Sequence, residues 1–251
     1  MLGRAVSFRD GEFMDISVII PAYNEEKRIA FTLEKSIDFL QQRSWQYELL
    51  PVDDGSRDAT VERIAEVARE FPQVRCVLNG QNRGKGYSIR HGLEEAQGNF
   101  IGFMDADYKT DIVALDHAME LLESGACGVI GDRTLGKSEI ARERKRYREM
   151  GSIVFRRGLQ MLMGLRGYDD TQCGFKFFRA EVMRDLFSRQ KVEGYMFDVE
   201  ILLLAGKLGY ALERIPVKWT FDPDSRFNPV TGMIRNLGEL ARIRWEHRGD
   251  F

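Results

Sequence analysis

Two aspartates one residue apart, Asp105 and Asp107, are the residues of this chain that first indicate chemistry. They follow the apolar run Phe100–Met104, which predicts a buried strand, and carboxylates at such a place are costly unless they bind something. Carboxylate oxygens are the ligands that Mg²⁺ or Mn²⁺ prefers, and these cations often bridge to phosphates. Aspartates are also common in turns and helix caps. The pair is therefore a candidate metal site that needs support from its neighbours.

Polar residues also follow two other predicted strands. The stretch YNE at 23–25 follows the first, and Asp53 and Asp54 end the second. A carboxylate at such a position commonly accepts hydrogen bonds from a ribose or a base edge. The stretch NRGKG at 82–86 opens a helix and carries Lys85, which is typical of an anion site. No Walker A motif and no G-x-G-x-x-G after the first strand is present, so P-loop and Rossmann dinucleotide sites are excluded.

The elements that must position these residues alternate between strands and helices. Strands are predicted at 16–20, 47–53, 74–78, 100–104 and 126–130, with helices after Asn24, Asp58 and Asp111 and at 85–96. This alternation predicts an α/β fold, doubly wound around a mainly parallel sheet with helices on both faces. Because ligands bind outside the carboxyl ends of such strands, the polar clusters are expected at one edge.

The second half of the chain predicts an amphipathic helical elaboration. A basic stretch at 137–157 is followed by apolar residues that face either a membrane or the core, and both interpretations stay open. Phe155 and Trp245 are expected in the core. A strand is predicted at 217–221 and a helix at 229–245.

An apolar helix at 194–210 contains two carboxylates, Asp198 and Glu200. We expect them to be buried acids with a structural role, paired with neighbouring arginines. The three histidines, including His247, show no metal-ligand spacing and are expected to have no role.

Composition narrows the function classes. A net charge of −2 over 251 residues gives no global attraction to nucleic acid. Three widely spaced cysteines predict no zinc site and a reduced, cytoplasmic protein. The chain has no segment of the length that spans a bilayer and no signal peptide is expected, so membrane contact would be peripheral, at the cytosolic face.

The ordered motifs IPAYNEE, VDDGSRDAT, NRGKG and FMDAD resemble those of the family 2 glycosyltransferases with the GT-A (Rossmann-like) fold, over residues 16–133. The stretches DTQCGFKFF and FDVEILLLA resemble the polyprenyl-phosphate sugar transferases within that family. The resemblance covers nearly the whole chain from residue 16. It implies one GT-A domain over 1–251, with a nucleotide-sugar-binding half at 14–133 and an acceptor-binding half at 134–251.

The resemblance also implies roles for single residues. Pro21, Tyr23 and Glu25 would line the nucleotide pocket, Asp53 or Asp54 would hold the uracil and ribose, and Lys85 would lie near the phosphates. Asp105 and Asp107 would bind the Mg²⁺ or Mn²⁺ ion, Asp107 the more directly. Arg133, Arg148 and Ser152 would hold the acceptor phosphate, and Arg226 would close over both phosphates.

Lys109 departs from the family pattern, which places small or uncharged residues after the aspartate pair. We expect it to be a solvated lysine ahead of the helix cap Asp111; the alternative is a cation directed at the donor phosphates.

The expected function is that of an inverting, metal-dependent hexosyltransferase. It would move a hexose, glucose first, from a UDP-sugar to a polyprenyl phosphate, giving a β-linked product. An anionic acceptor oxygen needs positioning rather than a strong base. Two alternatives remain open: a transferase with a soluble sugar, glycan or small phosphate as acceptor, and a non-catalytic nucleotide-sugar-binding protein.

Overall fold

The computed structural model describes residues 14–135, 163–165, 167–220 and 229–249. The strands are β1 (Ile16–Ala22), β2 (Tyr47–Asp53), β3 (Val77–Leu78), β4 (Phe100–Met104), β5 (Gly128–Asp132), β6 (Phe175–Arg179) and β7 (Leu212–Pro216). The helices are α1 (Ile29–Leu40), α2 (Thr60–Glu70), α3 (Lys85–Glu95), α4 (Ala114–Glu123), α5 (Ala180–Ser188), α6 (Phe197–Leu208) and α7 (Pro229–Glu246).

The strands form one mixed, mainly parallel sheet in the order β3-β2-β1-β4-β6-β5-β7. Strands β1 to β4 run parallel to one another, and β5 pairs in parallel with β7. Strand β6 is antiparallel to both of its neighbours, β4 and β5. Because β6 is antiparallel to both β4 and β5, β5 runs in the same direction as β4. It therefore ends at the same edge of the sheet as β1, β2 and β4. The predicted doubly wound α/β fold is confirmed.

Helices cover both faces of the sheet because the strands are apolar on both sides. Side chains alternate along β1, so Val18 packs with α1, α2 and α4 while Ile19 packs with α3, α5 and α6. A third apolar cluster joins the outer side of α6 to α7 through Leu240 and Ile243. Burial on both faces explains the near-continuous apolar runs of the central strands.

Helix α3 lies unusually close to the sheet, which matters because Lys85 begins it. A Cβ at Gly92 would stand 2.7 Å from Ile19 and 2.9 Å from Val52. A Cβ at Gly86 would stand 2.7 Å from Phe197. Glycine at these two positions therefore lets α3 pack closely against the sheet at Gly92 and against α6 at Gly86.

Three sequence predictions about the fold are wrong. The predicted strand at 217–221 is absent from its described part, residues 217–220; the strand forms earlier, at Leu212–Pro216, where it pairs with β5 as an edge strand. Trp219 forms an isolated bridge with Thr110 instead of belonging to a strand. The helix predicted to follow Asn24 begins only at Ile29; Asn24 itself has a φ of 54°, and its side chain accepts a hydrogen bond from the loop after β2. Trp245 is 63% exposed rather than in the core.

Other predictions stand or lie outside the described residues. The helix predicted at 229–245 is confirmed as α7. The basic stretch 137–157 and Phe155 lie outside the described residues. No helix in the described part of the chain is long and apolar enough to cross a membrane.

Candidate active site

The loops after β1 and β2 are bonded to each other and form one wall of the sheet edge. Asn24 N donates to Ser56 Oγ (2.9 Å), and Arg57 N donates back to Asn24 Oδ1 (2.8 Å). Glu25 N donates to Thr60 Oγ1 (2.7 Å). The left-handed backbone at Asn24 is what allows this exchange, since asparagine tolerates that conformation. These hydrogen bonds hold the two loops against each other without any ligand.

Three residues predicted to line the nucleotide pocket lie on this wall. Pro21 is the second-last residue of β1. Tyr23 directly follows the strand, with 41% of its surface exposed. The Glu25 carboxylate pairs with Arg28 at 2.7 and 2.9 Å. An exposed aromatic ring at a strand end provides a surface on which a base can stack, whereas Glu25 is already paired within its own turn.

Asp53 and Asp54 are both 4% exposed, but their carboxylates accept hydrogen bonds from different segments of the chain. Asp53 Oδ2 accepts hydrogen bonds from Gly55 N (3.0 Å) and Ser56 N (3.1 Å), so it shapes the turn after β2. Asp54 accepts from Asn79, Arg83 N and Gly84 N at 2.8–2.9 Å, so it holds the loop that opens α3. The sequence left these two equivalent; in the structure Asp54 anchors the predicted anion loop.

Lys85 lies at the start of α3 and reaches the end of β4. Its Nζ donates to Asp105 Oδ1 at 2.6 Å. Burial alone would lower the pKa of Lys85, but Asp105 and Asp198 raise that pKa above its usual value. Lys85 therefore stays protonated and supplies a fixed positive charge beside the aspartate pair.

Lys109 pairs with the second aspartate of the motif. Its Nζ lies 2.7 Å from Asp107 Oδ2, and its backbone N donates to Asp107 Oδ1 at 3.2 Å. The lysine side chain is only 19% exposed, so the expectation of a solvated lysine is wrong. Tyr108 has a φ of 51° and packs edge-on against Phe31, and this turn directs Lys109 back toward Asp107.

The donor chemistry of the pair fits a cation that shares its ligands with a substrate. Asp105 and Asp107 supply two carboxylates, with 36% and 17% of their side chains exposed. Among the described residues no group of three acidic, histidine or cysteine side chains could hold a metal. Mg²⁺ and Mn²⁺ commonly bind through one or two carboxylates plus waters and phosphates. The residues fit such an ion, bound together with a diphosphate.

Arg133 directly follows β5 and is held by a buried acid. Its Nε and Nη2 donate to Asp170 at 2.7 Å each, and its backbone N donates to the same carboxylate at 2.9 Å. Burial would raise the pKa of Asp170, but Arg133 lowers it below its usual value. The guanidinium also lies 5.4 Å from the ring of Trp219. Arg133 is thus fixed at the edge where β4 presents its carboxylates.

The two acids of α6 are buried, as predicted, but their partners are not arginines. Asp198 pairs with Lys176 at 2.5 Å, and both side chains are at most 4% exposed. Glu200 accepts hydrogen bonds from two backbone amides, Lys191 N and Val192 N, and contacts His247 Nε2 at 2.6 Å. The expectation that His247 has no role is therefore wrong, since it ties α7 to α6.

Sequence reasoning assigned no role to three residues that touch this edge: Asp170, Gly174 and Lys176. Gly174 O accepts a hydrogen bond from Asp105 N at 3.1 Å. A signal for Lys176 was present, because a lysine inside the apolar run FKFF must be paired if that run is buried. Three predicted site residues, Arg148, Ser152 and Arg226, lie outside the described residues.

Comparisons with known proteins identify the family and the relatives of this chain. Residues 17–187 match the family described as glycosyl transferase family 2. The chain is 33% identical to a dolichyl-phosphate beta-glucosyltransferase of Dictyostelium discoideum over 92% of this chain and 74% of that protein. It is 36% identical to a Drosophila melanogaster protein of the same name (94% and 76% covered) and 32% identical to a Homo sapiens one (95% and 77% covered).

Solved structures share the fold at lower identity. Glucosyl-3-phosphoglycerate synthase from Mycobacterium tuberculosis, crystallised with Mn²⁺, UDP and phosphoglyceric acid, superposes with a TM-score of 0.69 at 20% identity. That alignment covers 94% of this chain and 79% of the synthase. The same enzyme with Mg²⁺ and UDP gives a TM-score of 0.66 at 19% identity, covering 92% of this chain and 78% of that one. At this identity the likeness concerns the fold, which is GT-A.

Proposed function

This chain belongs to glycosyl transferase family 2, and we propose that it is an inverting, metal-dependent enzyme that transfers glucose from UDP-glucose to a polyprenyl phosphate. Its relatives named dolichyl-phosphate beta-glucosyltransferase match over more than nine-tenths of its length, which supports both the donor sugar and the acceptor class.

One observation carries the proposal: the aspartate pair and a buried-acid-bound arginine lie at the same edge of the sheet. Asp105 and Asp107 end β4, and Arg133 ends β5, two positions away in the strand order. An acidic site next to a fixed cation suits two phosphates, one carried by the donor with its metal and one by the acceptor.

The donor half of the site would bind UDP-glucose against the wall described above. The exposed ring of Tyr23, with Pro21 and Glu25 beside it, would line the pocket, and Asp53 or Asp54 would hold the uracil and ribose. Asp53 is the better candidate of the two, because the hydrogen bonds of Asp54 go to the loop before α3.

The acceptor half would hold the lipid phosphate through arginines. Arg133 uses Nε and Nη2 to bind Asp170, and within the described part of the chain its Nη1 makes no hydrogen bond. That nitrogen is the one we assign to the acceptor phosphate. Arg148 and Ser152 would complete the phosphate site, and Arg226 would close over both phosphates.

The chemistry asks for charge stabilisation rather than proton transfer. Negative charge builds on the diphosphate as the glycosidic bond breaks, and a Mg²⁺ or Mn²⁺ ion held by Asp105 and Asp107 would stabilise that charge. Lys85 adds a protonated ammonium group beside Asp105. The acceptor phosphate oxygen is already anionic near neutral pH, so Arg133 needs only to aim it at the anomeric carbon. Attack on the face opposite the leaving group gives a β-linked product from an α-linked donor.

Transfer into a lipid phase tests the proposal directly. The purified protein is incubated with labelled UDP-glucose, Mn²⁺ or Mg²⁺ and polyprenyl phosphate in detergent, and label is counted after organic extraction. We expect metal-dependent label in the organic phase, with UDP-galactose and GDP-mannose as much poorer donors. Label that moves only to water-soluble acceptors, such as 3-phosphoglycerate or free sugars, contradicts the acceptor assignment. Binding of UDP-glucose without turnover on any acceptor contradicts catalysis.

We also place this reaction at the cytosolic face of a membrane, where the protein would make peripheral contact with the lipid that carries the acceptor. Flotation with lipid vesicles tests the contact. We expect the protein to rise with vesicles that contain polyprenyl phosphate and to stay at the bottom of the gradient without vesicles. A protein that never floats contradicts the peripheral contact while leaving the transfer assay unaffected.

A further inference from the structure

We propose that Lys176 is a positioning residue for this active site. Its buried ammonium group holds the turn at residues 170–174, and this turn contacts both Asp105 and Arg133. The inference rests on the proposed function, since cation binding and acceptor use at that site are its readouts. Lys176 touches neither substrate; it acts through the turn at residues 170–174.

Every donor of the Lys176 ammonium group is used. The residue lies in β6, in the middle of the sheet, and its side chain is 0% exposed. Its Nζ donates to Thr171 O (3.1 Å), to Cys173 O (2.7 Å) and to Asp198 Oδ1 (2.5 Å). An ammonium group has three hydrogens, so two of them clamp the turn and the third joins it to α6. An apolar side chain could fill this place in the core but could not hold two carbonyl groups.

The two ends of the clamped turn touch the two halves of the site. At one end, Asp170 accepts three hydrogen bonds from Arg133 at 2.7–2.9 Å. At the other end, Gly174 O accepts the backbone N–H of Asp105 at 3.1 Å. A Cβ at Gly174 would overlap the Asp105 carboxylate, so that carboxylate rests directly on the turn. A shift of the turn therefore moves a metal-ligand candidate and a phosphate-binding candidate together.

Lys85 is a second cation that acts on the Asp198 carboxylate. Asp198 lies in the first turn of α6, where the helix dipole favours an acid. Burial raises the pKa of Asp198, and both Lys176 and Lys85 counter that rise. Removing Lys176 alone would leave Asp198 with Lys85 as its remaining cation, and Lys85 is the partner of Asp105. Loss of Lys176 would therefore affect Asp105 in two ways, through the turn that contacts it and through its partner Lys85.

A double variant separates positioning from stability. Lys176→Met alone removes the cation that is hydrogen-bonded to the buried Asp198 carboxylate, so this variant is expected to fold poorly. Lys176→Met with Asp198→Asn removes both charges at similar volume, so no unpaired charge is left in the core. We expect the double variant to be more stable than Lys176→Met alone, while its Kd for Mn²⁺, measured calorimetrically with UDP, rises about 10-fold or more above the wild-type value.

The same variant should raise the KM for polyprenyl phosphate while leaving UDP affinity without metal unchanged. If the Lys176–Asp198 pair had only a structural role, the double variant would lose stability, but its Kd for Mn²⁺ and its KM for polyprenyl phosphate would stay at the wild-type values. A folded double variant with wild-type Mn²⁺ affinity and wild-type acceptor KM overturns the inference.

Gly174→Ala provides an independent test that leaves the ion pair intact, and Gly206→Ala is its matched control. A Cβ at Gly206, in α6, meets nothing within 4 Å. We expect Gly174→Ala to raise the Mn²⁺ Kd about 10-fold or more and Gly206→Ala to leave it unchanged. Equal Mn²⁺ affinities in Gly174→Ala and wild type overturn the inference even if the double variant does not fold. Wild-type protein that binds no Mn²⁺ with UDP and transfers no glucose overturns the proposed function, and the inference with it.

Discussion

Replacing Asp170 by asparagine should remove the buried carboxylate that holds Arg133, the arginine assigned to the acceptor phosphate. The carboxylate side chain is 7% exposed and accepts three hydrogen bonds from Arg133. Asparagine keeps the shape but loses the charge, and its amide group presents donors where the guanidinium also donates. Arg133 would be left partly buried without a counter-charge.

The size of the effect follows from burial. Breaking a buried pair by removing one partner costs about 3–5 kcal/mol, and because Arg133 is 22% exposed we expect the lower end, about 3 kcal/mol. At about 2–4 °C per kcal/mol for a chain of this size, the melting temperature should fall by about 6–12 °C. The KM for polyprenyl phosphate should rise about 10-fold if only 1.4 kcal/mol of phosphate binding is lost. The KM for UDP-glucose should not change.

A second Asp–Arg pair gives the matched control. Asp116 binds Arg43 through two hydrogen bonds, at 2.6 and 3.0 Å, and this arginine is also 22% exposed. The Asp116 carboxylate, however, is 43% exposed and lies on α4, so Asp116→Asn should cost only about 0–1 kcal/mol. Thermal or urea unfolding and steady-state kinetics on both variants measure the difference. Equal losses of stability, or an unchanged acceptor KM in Asp170→Asn, refute the reasoning.

Three further predictions concern the metal ligands, pH and the core. Asp107→Asn should abolish glucose transfer in a protein that still folds, and retained transfer in the presence of Mn²⁺ would rule out the metal assignment. Because Arg133 lowers the pKa of folded Asp170 below its unfolded value, this pair stabilises the fold above the unfolded pKa; the stabilisation is lost as pH falls through the lower, folded pKa. Asp170→Asn should therefore flatten the acid limb of a stability–pH curve, and an unchanged limb contradicts the assignment. Gly102→Ala should cost about 1–3 kcal/mol or more, since its Cβ would overlap the Phe177 ring, whereas Gly238→Ala, which meets nothing within 4 Å, should not destabilise; chemical denaturation compares them.

The aspartate pair was predictable from local sequence because its signal is local. An apolar strand followed directly by Asp105 and Asp107 places acids at a strand end whatever the rest of the fold does. The alternation of strands and helices likewise predicted the parallel sheet, and strand direction alone brought the ends of β1, β2 and β4 together. Strand β2 was predicted to the residue, since Tyr47–Asp53 is buried throughout.

Pairings between distant residues were not predictable in this way. The partner of Lys109 depended on the left-handed backbone at Tyr108, and the edge strand β7 on its register with β5. Both are properties of the assembled chain. An amphipathic edge strand such as Leu212–Pro216 carries a weaker apolar signal than the more hydrophobic residues that follow it, which explains the misplaced strand.

The sequence by itself determined which residue types meet at the sheet edge: two acids after β4, an arginine after β5, a lysine at the start of α3 and an aromatic ring after β1. Only the tertiary structure decided which charge each one faces. Asp54 became the anchor of the loop before α3, Asp170 the partner of Arg133, and Lys176 the donor that holds the turn after Asp170. The residue types, and the strands that they follow, can be read from the sequence. The partner of a buried charge is decided only by folding, because a charged group that has lost its water must pair with a group that the fold places beside it.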